Sequence, residues 1–78
     1  MIKELDSVIL TTDLPDSGLE EGDIGTVVLV HRGGEGYEVE FVALDGQTVA
    51  VISLEANQVR PIAEFEIANA RKLETTEA

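Results

Sequence analysis

Apolar residues in this chain fall in short β-branched runs separated by glycine- and acid-rich breaks, a pattern of strands and turns. Ser7-Val8-Ile9-Leu10-Thr11-Thr12 reads as a first strand, followed by an exposed loop from Asp13 to Asp23 with Pro15, Gly18, Gly22 and five acids. Gly25 to His31 is a second strand, and Arg32-Gly33-Gly34-Glu35-Gly36 a turn. Tyr37 to Leu44 is a third strand and Thr48 to Leu54 a fourth. Glu55 to Gln58 makes one helical turn before a short last strand, Val59 to Ile62, where Pro61 lacks the N–H of an interior strand residue. Five short strands with these loop lengths predict an all-β fold, a small five-stranded SH3-like antiparallel barrel over residues 1–62. Residues 63–78 form a C-terminal segment. Its helix formers predict a short helix over Ala63 to Leu73, with a strand through Phe65 and Ile67 as the alternative, and a frayed end from Glu74.

Asp45-Gly46 between two apolar runs signals a hairpin with a two-residue type I′ turn. That turn sets Leu44 opposite Gln47, Val42 opposite Val49, Phe41 opposite Ala50, Glu40 opposite Val51 and Val39 opposite Ile52. Side chains alternate between faces, so Tyr37, Val39, Phe41 and Ala43 share the interior with Thr48, Ala50, Ile52 and Leu54. The other face then carries Val42, Leu44, Val49 and Val51 beside Glu38 and Glu40. A solvated sheet face is ordinarily polar, and a contiguous apolar patch marks a contact surface. These four aliphatics are the candidate interface, with intramolecular cover by the C-terminal segment as the alternative.

Charge narrows the partners. Sixteen acids against five bases give a net charge of −11. Nucleic-acid binding rests on Lys and Arg meeting phosphates, so no nucleic-acid partner is expected. The absence of cysteine excludes disulfides and thiolate zinc sites. The longest apolar stretch, Val27 to Val30, is too short to cross a membrane, and Lys3, Glu4 and Asp6 interrupt any secretory-type leader. A cytoplasmic protein without a membrane partner is the expectation.

Leu5 to Leu10, Asp13-Leu14-Pro15, Leu19 to Val28, Tyr37 to Phe41 and Gln58 to Pro61 together carry a resemblance to a family of short acidic bacterial domains of unknown function. The likeness covers residues 5–62 and implies an SH3-like barrel with no assigned activity. Gly22 to Val28 is also similar to the glycine-valine turn of ribosomal and transcription-factor barrels. Those barrels are basic, so RNA binding does not carry over.

Each candidate for chemistry meets a plainer structural reading. His31 is the single histidine and sits at a strand end, so no two-histidine metal site can form. The acids between Asp13 and Asp23 lack the spacing of a calcium loop. The Arg32–Gly36 glycines precede a strand, whereas phosphate-cradling loops precede a helix. Glu38 and Glu40 lie about 7 Å apart on one strand face, but the chain has no Trp and few aromatics to line a sugar cleft. Arg60 is expected in an ion pair. No catalytic, cofactor-binding or metal-binding residue is assigned and no cofactor is expected. The function expected is a non-enzymatic protein-interaction module, binding a protein partner or itself as a homo-oligomer. The alternatives are a small-molecule or regulatory-ligand binder and an acidic, antitoxin-like inhibitor of a basic partner.

Overall fold

The computed structural model describes residues 1–73. Five antiparallel strands form one sheet: β1 (Ser7–Leu10), β2 (Ile24–His31), β3 (Gly36–Val42), β4 (Thr48–Glu55) and β5 (Val59–Pro61). Their order is β4-β3-β2-β1-β5. The five antiparallel strands agree with the all-β expectation, and because β4 and β5 do not pair the sheet is not closed into a full barrel. Short 3₁₀ turns at Pro15–Ser17 and Ala56–Gln58 lie before β2 and before β5. The second is closed by a capping box, in which Glu55 N–H donates to Gln58 Oε1 at 2.8 Å.

The core gathers side chains from all five strands. Val8, Leu10, Val27, Val39 and Phe41 are essentially inaccessible, with Tyr37, Leu54 and Val59 around them. Each such side chain contributes about 1.5–3 kcal/mol of burial. Alternation accounts for most of this core: Tyr37, Val39 and Phe41 point inward, while Glu38 and Glu40 point out. In β2 the alternation breaks. A bulge between Val27 and Leu29 places Val28 and Leu29 consecutively on the surface and returns Val30 to the core.

The β3–β4 register agrees with expectation at Phe41↔Ala50, Glu40↔Val51 and Val39↔Ile52. It departs at the turn, where Val42 faces Thr48. The type I′ turn is not formed. Gly46 N–H donates to Ala43 O at 2.9 Å and Ala43 N–H to Gln47 O at 2.8 Å, leaving Leu44-Asp45-Gly46 as a three-residue loop. Gly46 alone takes positive φ, +98°, as in a type I turn followed by a glycine bulge. Asp45 stabilises this loop by accepting from the Gln47 N–H at 3.1 Å.

The C-terminal segment also departs from expectation. Residues 63–73 form neither helix nor strand but an irregular strap folded back on the sheet. Two arginines hold it. Arg60 clamps Glu66 with two hydrogen bonds, at 3.0 and 2.6 Å, and Ala63 N–H donates to the same carboxylate at 2.6 Å. Arg71 Nε donates to Asp23 Oδ1 at 2.9 Å, and its terminal nitrogen reaches Gly18 O at 3.1 Å. The backbone turns at Phe65, with φ +64°. These side chain-to-loop bonds compete with helix formation, because a helix would draw Glu66 and Arg71 away from partners outside the segment. The frayed end expected from Glu74 lies outside the described residues.

Candidate functional site

The outer face of β3 and β4 is where the sequence placed an interface. Val42, Leu44 and Val51 are exposed, at 44%, 92% and 55% of their reference areas. Val49 is not with them. The register shift next to Val42 turns it inward, where it is half-buried and packs against the core. Polar groups lie among the remaining aliphatics: Glu40 stands opposite Val51, and Thr48, opposite Val42, donates its hydroxyl to Glu40 Oε2 at 2.9 Å. Leu29 adds a further exposed aliphatic opposite Glu38.

The strap runs beside Val42 and Leu44 without burying them. Of the segment's apolar residues expected to cover the patch, Phe65, Ile67 and Leu73, the first two are 108% and 93% exposed and Leu73 is half-buried. Ile62, Ile67 and Leu73 line an open groove of about 1090 Å³ that the exposed Val42 and Leu44 and the half-buried Val49 also line. Leu19, buried at the base, comes from the acidic loop. It pairs with Leu14 across the 3₁₀ turn, which makes this stretch a folded hairpin-like cap. The apolar spacing of Leu14 and Leu19, five residues apart among the acids, was the available signal for that cap.

The titratable groups make local bonds. His31 Nε2 lies 2.7 Å from Glu38 Oε2, and the Ser53 hydroxyl donates to the same oxygen. The two donors, Ser53 first and then His31, lower the Glu38 pKa below its ordinary value. Serine, histidine and carboxylate are thus together, but the carboxylate is central. Nucleophile activation needs the imidazole between hydroxyl and acid.

In the acidic loop, Asp13 accepts from Glu21 N–H and Asp23 from Glu20 N–H, each at 2.8 Å. Partial burial raises the Asp23 pKa, but the Arg71 guanidinium and the Glu20 N–H outweigh it and hold it below the ordinary value. Among the described residues no three His, Asp or Glu side chains gather in a metal-holding group. In the glycine turn, the Gly34 and Glu35 N–H groups both donate to His31 O at 3.0 Å, so those donors point into the turn. Arg60 makes the ion pair expected of it.

The sequence profile of one family, described as domain of unknown function (DUF4926), matches residues 4–61. The chain belongs to that family. The DUF4926 match ends on Pro61, the last residue of β5. No curated protein and no solved structure matches the chain.

Proposed function

We propose that this chain is a non-enzymatic protein-interaction module that associates with copies of itself. The observation supporting this reading is the exposure of Val42, Leu44 and Val51 on β3, its following loop and β4, with Val42 and Leu44 lining an open groove beside the strap rather than buried beneath it. Apolar side chains grouped on a sheet face favour leaving water together, and another protein surface supplies the partner. Light scattering on a dilution series tests it. The mass should rise above 8.4 kDa as concentration increases. Leu44→Lys combined with Val42→Lys reports whether the patch itself is responsible.

A second reading rests on charge. Arg60 is engaged by Glu66, and Arg71 by Asp23 and Glu20, which leaves the net charge of −11 to be expressed by other surface acids such as Asp16, Glu35 and Glu64. Such a surface attracts a basic protein and fits an acidic inhibitor. Salt separates the two readings. A basic partner is lost as ionic strength rises, whereas association of two like-charged copies is unchanged or strengthened.

A further inference from the structure

The two margins of the sheet are built differently. At one margin β5 has three residues, ends in Pro61 without an N–H, and is followed at once by the Arg60–Glu66 clamp. Short length, proline and charge are the usual protections of an exposed edge. At the other margin β4 has eight residues, no proline, and no ionised side chain before Glu55. Among the described residues, no backbone group from Thr48 to Leu54 bonds to anything but β3. Alternate N–H and C=O groups of that strand therefore face outward with no protein partner. Ile52 points inward yet stays half-buried, although Val39 directly opposite is fully buried. The core is unfinished along this edge.

We propose that β4 pairs antiparallel with β4 of a second copy, joining the two sheets into one. The proposal rests on the self-association reading and specifies its geometry as strand-to-strand rather than face-to-face. The occupant is a second copy because the edge is self-complementary. In an antiparallel pair centred on Val51, Val51 faces its counterpart and Ala50 faces Ile52 of the second copy, the smallest inward side chain against the largest one near it. Charge supports the same centre. Two chains of −11 repel, and Thr48–Leu54 itself carries no ionised side chain. The neighbouring carboxylates, Glu38 and Glu40, lie one strand in on β3, where Ser53 and Thr48 bond them. The two Glu55 side chains then lie at opposite ends of the contact, about 27 Å apart at about 3.4 Å per residue. That exceeds the screening length of about 8 Å at physiological salt.

Val51→Lys tests the geometry. In the monomer the introduced ammonium group would stand opposite Glu40, a favourable cross-strand pair, so the fold should persist by circular dichroism. In the dimer two lysines would oppose each other, and association should weaken roughly tenfold or more. The double variant Val42→Lys, Leu44→Lys alters the patch and leaves the edge strand intact, so it is the arm that separates contact through the face from contact through the edge. Amide hydrogen exchange gives an independent readout: outward amides of β4 should slow as protein concentration rises, while those of β5 should not. If the double variant dissociates and β4 amides exchange independently of concentration, the contact is face-to-face, so the edge proposal fails while self-association stands. A native chain that stays monomeric at millimolar concentration overturns both.

Discussion

The Phe41 ring on β3 fills the space that a side chain at Gly25 on β2 would need: its Cε1 lies 2.8 Å from where a Gly25 Cβ would stand. Val39 Cγ1 comes closer still, at 2.5 Å. Two inward residues of one strand thus pack directly on the backbone of the next, and Gly25 itself is buried opposite Val8. Gly25→Ala should therefore destabilise, although alanine suits a strand better than glycine. Overpacking of this kind costs about 1–3 kcal/mol. Urea denaturation checks it, and an unchanged midpoint would mean that Phe41 does not seat against β2.

Gly46 makes a different demand, because nothing lies within 4 Å of a Cβ there and only its φ of +98° resists substitution. Gly46→Val should destabilise by about 1–3 kcal/mol through backbone strain. Gly46→Asn should cost much less, since asparagine tolerates positive φ. Equal melting temperatures for the valine, asparagine and native proteins would place the turn elsewhere.

Val49 and Val51 should respond in opposite ways to charge. Val49→Glu places a carboxylate against the core and should cost about 1–3 kcal/mol. Val51→Lys sits on the exposed face and should change monomer stability by no more than about 0.5 kcal/mol. Thermal melts of the two variants at low concentration make the comparison. Equal losses would restore the simple two-residue register, in which both point outward.

The strap carries a pH dependence whose sign is set by Glu66. Arg60 and the Ala63 N–H lower its pKa from an ordinary 4.5 to about 2. A carboxylate with a depressed folded pKa stabilises fully above its unfolded value, and this is lost as pH falls through the folded one. The clamp should therefore hold at pH 5 and open as pH drops from 4.5 toward about 2. Carbon NMR of the Glu66 carboxyl should show a midpoint near 2 in the native chain and a return toward 4.5 in Arg60→Ala. Matching midpoints in the two proteins would show that the clamp does not form in solution.

Much of the fold was legible because its core uses simple alternation: Tyr37, Val39 and Phe41 against Glu38 and Glu40 set both the face and the central register of the hairpin. The turn was not, since Asp45-Gly46 suits a two-residue loop and a three-residue loop equally, and the choice moved Val49 from the patch to the core. The strap reads as helix in sequence for a related reason. Local propensity favours helix there, but Glu66 and Arg71 find partners in Arg60 and Asp23, and the Asp23 pairing spans 48 residues. Sequence spacing gives no hint of such a contact. The strap's path beside Val42 and Leu44, without burying them, was visible only in three dimensions.

Sedimentation equilibrium of the native chain, from micromolar to millimolar and at low and high salt, tests self-association most directly. The expected result is a mass that moves from 8.4 kDa toward twice that value with concentration, at least as readily in high salt. A mass that stays at 8.4 kDa throughout would contradict it and leave the patch on β3 and β4 without a role in self-association.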